Sequence, residues 1–325
     1  MKKNFFIRNI IIVSLIIGIL ALMGCSSKND SKNSISIAEQ FGLAYAPLQI
    51  MKENKILEKN YPGVKIDWKQ LGNTAAIREA MLSNQVDVGF MAIPPFLIGL
   101  DKGMEWKIAS GLSESPVVLV TNSENIKSIK DFSKSDRIAL PQPGSVQHML
   151  LAMQCEKEFG DAKKLDNLLV TLAHPDAMNA LLSAKDITAH FTTPPYLFKE
   201  LEQKSIHQVL DGKDAIGADF TFIVGVTTKE FHDIKPELYK ALVSSIKESI
   251  VFMQNNPDKS AEILANIYKL PKDEVLQYIT NKDMIYTDEV KGINEFAKFM
   301  KKNNYISKEY NDKSSTMWED VKYEK

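Results

Sequence analysis

The sequence predicts an α/β protein built as two similar lobes, and three observations carry that reading. Beyond residue 35, strand-like and helix-like segments alternate, the order that produces parallel sheets covered on both faces. Residues 80–97 (AMLSNQVDVGFMAIPPFL) recur one hundred residues later as 180–197 (ALLSAKDITAHFTTPPYL), with six identities in eighteen positions. Two polar stretches, 122–135 and 211–219, enclose the second copy, so the chain leaves a first lobe, builds a second and returns.

At the amino end, Lys2, Lys3 and Arg8 precede an apolar run over residues 10–22 that closes on Leu22-Met23-Gly24-Cys25. The run is short for a membrane span, which needs about 20 apolar residues. A cysteine also stands where a plain secretory signal would have its small-x-small cleavage site. The pattern resembles the lipobox of bacterial lipoproteins, in which the cysteine sulfur is diacylglycerated before cleavage. Residues 1–25 are therefore expected to be a signal peptide with lipobox, and Cys25 the lipidated residue. Two acyl chains, at about 0.8 kcal/mol per buried methylene, would hold the protein on the extracytoplasmic face of the cell membrane. Residues 26–34 (SSKNDSKNS) contain no apolar side chain and are expected to be a flexible tether.

The remainder is long enough for two ordinary domains. Lobe one is expected over 35–121 and 219–325, discontinuous and ending in helices, and lobe two over 122–218. In the first lobe, Ser36-Ile37-Ala38 reads as a strand leading to Gly42 and a helix, and Arg137-Ile138-Ala139 leads likewise to Gly144 and a helix. Each copy of the repeat then reads as a helix end, a short strand and a second helix starting at a proline pair, where the fixed φ and missing N–H are tolerated. Residues 116–121 (PVVLVT) and 221–227 (TFIVGVT) are the strands flanking the crossings. Residues 237–253, 259–268 and 272–280 carry amphipathic helical patterns expected to pack on lobe one and the hinge.

The formal charge is −1, and losing Lys2, Lys3 and Arg8 with a leader would leave about −4, so nothing in the charge balance points to nucleic acid. Beyond Cys25 the remaining cysteine is Cys155, in an apolar helical pattern, and it reads as a small core hydrophobe rather than half of a disulfide.

Chemistry is expected where strands end and helices begin, since helix N-termini offer unpaired N–H groups and partial positive charge. The first lobe supplies residues 42–47 (GLAYAP), Gly72-Asn73-Thr74 and Ala92 before Pro94. The second supplies residues 144–148 (GSVQH), His174 before Pro175, and Thr192-Thr193 before Pro194. For Asn73, Thr74, Ser145 and Thr193, capping their own helices is an equally good account of the residue type. Phe41 and Tyr45 are either core aromatics or ring surfaces for a ligand. His148, His174 and His190 with Asp176 would form a metal site only if they converged, and no H-E-x-x-H or C-x-x-C pattern is present, so no metal and no cofactor is expected. His148 is the histidine better placed to donate to a ligand, and His190, inside a strand, is equally a satisfied core residue. Gly144-Ser145 lacks the second glycine of a nucleophile elbow and no P-loop occurs, so no catalytic residue is assigned.

Phe41-Gly42-x-x-Tyr45-Ala46-Pro47, Gly72-Asn73-Thr74-Ala75-Ala76, residues 86–91 (VDVGFM), residues 144–148 (GSVQH) and residues 190–196 (HFTTPPY) together resemble the substrate-binding proteins of ABC importers for nitrate, aliphatic sulfonates and taurine, a superfamily that includes binders of thiamine-pyrimidine precursors. The resemblance covers residues 35–300. It implies a type II periplasmic-binding-protein fold, a two-strand hinge, and closure of the lobes on a small solute, with Tyr45, Asn73, Ala92, Ser145, His148 and Thr192 in the pocket. Thr74 and Tyr196 complete the expected ligand-binding set. The implied partners are the solute and the transmembrane subunits of an ABC permease, with the protein itself a monomer. No arginine stands at a lobe junction to clamp an anion, since Arg78 lies a turn inside a helix and Arg137 before a strand. A flat heterocycle stacked on Tyr45 or Tyr196 therefore stays open as the solute, and a membrane-tethered enzyme on the same fold is the reading from another class.

Overall fold

A computed structural model describes residues 33–324, so the expected leader, Cys25 and most of the tether lie outside the described residues. The first sheet contains β1 (Ser34–Glu39), β2 (Lys65–Gln70), β3 (Val88–Met91), β4 (Trp106–Ser113) and β10 (Ile223–Thr228), in the order β2-β1-β3-β10-β4. The second contains β5 (Val118–Thr121), β6 (Ile138–Leu140), β7 (Leu169–Thr171), β8 (Ala189–Thr192) and β9 (His207–Asp211), in the order β7-β6-β8-β5-β9. The two orders are the same when β1–β4 are matched to β6–β9. In each sheet the first three strands pair in parallel, and the fourth slot holds an antiparallel strand.

That fourth strand comes from the other half of the chain. After β4 the chain crosses over residues 114–117 and β5 fills the slot between β8 and β9; after β9 it returns and β10 fills the slot between β3 and β4. The expected lobe boundary after Thr121 therefore moves: residues 118–121 pair in the second sheet. A fully buried apolar run such as VVLVT records that a strand is central, and holds no information about which sheet takes it.

Fourteen α-helices are described: α1 (Ala46–Glu53), α2 (Ile56–Asn60), α3 (Thr74–Leu82), α4 (Ile93–Asp101), α5 (Val146–Phe159), α6 (His174–Leu182), α7 (Tyr196–Leu201), α8 (Gly212–Ile216), α9 (Lys229–Ile234), α10 (Pro236–Asn255), α11 (Pro257–Tyr268), α12 (Lys272–Ile279), α13 (Ile293–Lys302) and α14 (Lys313–Thr316). The repeat is structural, since α3-β3-α4 and α6-β8-α7 occupy matching places. The proline pairs differ, however. Pro94 and Pro95 lie inside the first turn of α4, whereas Pro194 and Pro195 precede α7 and are joined by a cis bond. The Pro194 carbonyl instead accepts from Leu43 N–H across the lobes at 3.0 Å.

Period-two alternation divides the apolar side chains of the second sheet: Val118 and Val120 pack with Ala177, Leu181 and Leu197 on one face, while Leu119 joins Leu150 and Phe191 on the other. The C-terminal helices reach further than expected. Besides packing on α1 and α2, α10 and α11 lead into a segment that pairs Ile285 with Glu114 of the crossing. Helix α13 lies against both α4 and α5, with Lys302 and Asn303 on Glu156 of the second lobe. Cys155 is buried within α5 and its thiol is pushed up to about 12 by desolvation, as a core residue should be. Among the described residues no helix is long and apolar enough to cross a membrane.

Candidate functional site

The helix starts of the two lobes face one another across a narrow cleft. Its first-lobe wall contains Gln40, Phe41, Tyr45, Gly72, Thr74, Ala92 and Pro95; its second-lobe wall contains Pro141, Gln142, Ser145, Gln147, His174 and Thr193. Phe222 and Ile223 close it where the chain returns to the first sheet. The cavity is about 30 Å³, room for one or two water molecules.

The lobes touch on both sides of this cavity. Gln142 Oε1 accepts from Ala75 N–H at the start of α3 (3.1 Å), and Leu43 N–H donates to the Pro194 carbonyl (3.0 Å), while in the crossing the Ser115 hydroxyl meets that of Thr193 at 3.2 Å. Gly42, at φ 125°, and Gly144, at φ 82°, bend the two loops that approach the opposite lobe: a Cβ on Gly144 would stand 2.9 Å from Ile98 Cδ1, and one on Gly42 3.2 Å from the Pro194 carbonyl. Only glycine combines that backbone with that proximity at low cost. The 42–45 loop is fixed from behind by Tyr268, donating to the Gly42 carbonyl, and Tyr286, donating to the Leu43 carbonyl.

Four of the eight sequence-predicted binding residues line the cleft: Tyr45, Thr74, Ala92 and Ser145. The other four do not. Asn73 caps α3, accepting from Ala76 N–H at 3.0 Å. His148 turns away from the cleft, because three residues into α5 its ring folds back to accept from Gly144 N–H (2.9 Å) and donate to Asp166 (3.1 Å). Thr192 lies on β8 with its hydroxyl buried on the face shared with His190, whereas the next residue, Thr193, points into the cleft. Tyr196 stacks against the His174 ring, centroids 5.8 Å apart and planes at 19°.

Gln40 and Gln142 stand outside the junctions the sequence points to, and Gln147 and Thr193 stand within them but next to the residues expected to bind, His148 and Thr192. Gln147 is next to His148, and one step along a helix turns a side chain by about 100°, which is what separates lining from buried. Glutamine also carries no positional signal of the kind a helix cap or a glycine turn does.

Two hydroxyls of the cleft are available as donors. Thr74 Oγ1 accepts from Gln40, which leaves its own hydroxyl hydrogen available, and the Tyr45 hydroxyl has no protein partner among the described residues. Burial holds the Tyr45 phenol well above its ordinary pKa, with Glu39 adding to the effect, so it stays an O–H donor. Glu39, behind this wall, is raised to about 7 by desolvation, opposed by a hydrogen bond from Gln49. No lysine or arginine lines the cleft, and among the described residues no group of three or more His, Cys, Asp or Glu is placed to hold a metal ion.

Known proteins share the family and the fold. The family model described as the NMT1-like family matches residues 29–268. A putative aliphatic sulfonates-binding protein of Escherichia coli (strain K12) is 22% identical over 279 residues, 85% of this chain and 84% of that protein. The taurine-binding periplasmic protein of the same organism is 23% identical over 244 residues, 74% of this chain and 73% of that one. Among solved structures, the alkanesulfonate-binding protein SsuA from Xanthomonas axonopodis pv. citri, bound to MOPS, shares the fold with a TM-score of 0.74 at 17% identity, over 88% of this chain and 98% of that one. Each of the three is named as a binding protein, and none as an enzyme.

Proposed function

From the premise that the chain belongs to the NMT1-like family, we propose that it is an extracytoplasmic solute receptor of an ABC-type importer, taking a small sulfonate-like or nitrate-like anion between its lobes. The observation that carries this reading is the cleft itself: two helix starts, α3 and α5, face each other with the hydroxyls of Tyr45, Thr74 and Ser145 between them. Helix N-termini and hydroxyls together stabilise negative charge without a cationic side chain. The receptor binds without turnover; closure buries the solute and presents a joined surface that a permease distinguishes from the open form. In this reading Cys25 is the lipid anchor, residues 26–34 the tether, and the chain works as a monomer.

Phe41, Tyr45 and Phe222 also give the cleft an aromatic lining, which favours a flat heterocycle such as a thiamine-precursor pyrimidine as the second reading. Mass spectrometry of the small molecule retained through gentle purification separates the two. An alkanesulfonate, taurine or nitrate supports the first reading and a pyrimidine the second; a ligand turned over to product would overturn both.

A further inference from the structure

Behind the second-lobe wall a line of buried polar groups runs from the interior to the cleft. Glu200 Oε1, on α7, meets His190 Nδ1 at 2.6 Å; His190 Nε2, on β8, meets His174 Nδ1 at 2.9 Å; and His174 Nε2, at the first residue of α6, meets Gln147 Nε2 at 3.2 Å where both line the cavity, an amide that presents Oε1 instead after a half-turn. Glu200 and His190 are fully buried and His174 is 8 % exposed. Glu200 Oε2 is buried with no hydrogen-bond partner. Lys199, the adjacent cation, is turned to Glu274 and Glu202 and leaves Glu200 uncompensated.

Each contact along this line holds one proton, so the line has two arrangements. With three protons it carries no net charge. A proton on Glu200 Oε2 would be a buried donor without an acceptor, so one proton lies between Glu200 Oε1 and His190, His190 donates its Nε2–H to His174 Nδ1, and His174 then carries its own hydrogen on Nε2, a donor toward the cleft. With two protons Glu200 is ionised beside a neutral His190, every donor points toward the carboxylate, and His174 Nε2 is a bare acceptor. The second arrangement leaves an isolated negative charge in the interior, which is costly. Burial and the neighbouring His190 hold His174 well below its ordinary pKa, so it does not take up a second proton of its own.

We propose that His174 contacts the solute, and that Glu200, acting through His190 as a positioning residue, keeps a proton on the cleft-facing Nε2 so that a cleft without lysine or arginine accepts an oxyanion. This deepens the receptor reading and rests on it. The neutral line plays the part a cation plays elsewhere, and its proton can be lost. Anion affinity is therefore highest at low pH and falls as the line deprotonates, by up to tenfold per pH unit, and binding above that point draws in one proton. The groups facing the line are Tyr196, stacked on His174, the Gln147 amide, which meets donor or acceptor by a half-turn, and Asp176, exposed on α6. Across the cleft stand Tyr45 and, behind it, Glu39 with Tyr268, of which Glu39 titrates near neutrality.

The test is calorimetric titration of the full chain with sodium ethanesulfonate from pH 5.5 to 9, in buffers of unlike ionisation enthalpy, alongside ¹⁵N imidazole spectra of the free protein. The expected result is a slope approaching tenfold per pH unit in the wild type and in Glu39→Gln, less than twofold across the whole range in Glu200→Gln, and a hydrogen on His174 Nε2. A pH-independent affinity in the wild type, or the same slope in Glu200→Gln, would overturn the inference. If ethanesulfonate binds at no pH, the oxyanion reading of the cleft fails by itself, and the spectra decide the proton line separately: a bare His174 Nε2 overturns it and a protonated one supports it.

Discussion

Tyr45 is 3 % exposed, its ring held in the first-lobe core and its hydroxyl at the cleft. Removing the whole ring would open a cavity costing about 3–5 kcal/mol, so Tyr45→Ala confounds binding with folding. Tyr45→Phe keeps the ring and deletes the donor: ethanesulfonate affinity should fall about tenfold, near 1.4 kcal/mol, with the melting temperature unchanged, as calorimetry would record. His148→Ala should do the opposite. Affinity stays within twofold while stability drops by about 1–3 kcal/mol, because Gly144 N–H and Asp166 lose a common partner. Glu39 gives a pH test of the fold. Its folded value of about 7 lies above the ordinary 4.5, so its proton stabilises the native state in acid, and that contribution is lost as pH rises from 4.5 to 7. The loss is of order 3 kcal/mol, and urea unfolding of Glu39→Gln across that range should lack it. At this scale the sequence was half legible. Residue types at helix starts located the cleft, but whether position 147 or 148, or 192 or 193, faces it depends on a rotation or an alternation whose phase is set only by packing.

The helices and the repeat were the most legible features. The caps at Asn73 and Ser145 form as their residue types require, and the amphipathic patterns at 237–253, 259–268 and 272–280 match α10, α11 and α12 within a few residues. What the pattern could not carry was strand exchange, since β5 and β10 are central in either sheet and differ only in the partner they find. The loop before α5 is where an element-level change should reach function. Gly144→Ala places a methyl against Ile98 on a backbone of positive φ, costing about 1 kcal/mol or more in the closed form, where the lobes touch. Solute affinity should fall by at least fivefold, with the loss concentrated in a faster off-rate that stopped-flow dilution would detect.

Taken whole, the molecule is two copies of one sheet plan that exchange their fourth strands and are tied together by C-terminal helices resting on both. The structure is closed, with contacts from Leu43 to Pro194 and from Ala75 to Gln142 spanning the cleft. With the walls in contact on those hydrogen bonds, a solute reaches the cavity between them only when the contacts part. Binding therefore requires an opening, and a solute that touches both walls supplies the differential affinity that restores closure. Leu82 and Leu182, exposed at equivalent ends of α3 and α6, are natural reporters, since Cys155 is buried and does not compete for a label. The most direct test is the distance distribution between spin labels at these two positions, in a Cys25→Ser background, with and without saturating ethanesulfonate. The account predicts two populations in the free protein that collapse, with solute, to the single distance of the closed structure; an identical distribution in both states, with the solute demonstrably bound, would contradict it.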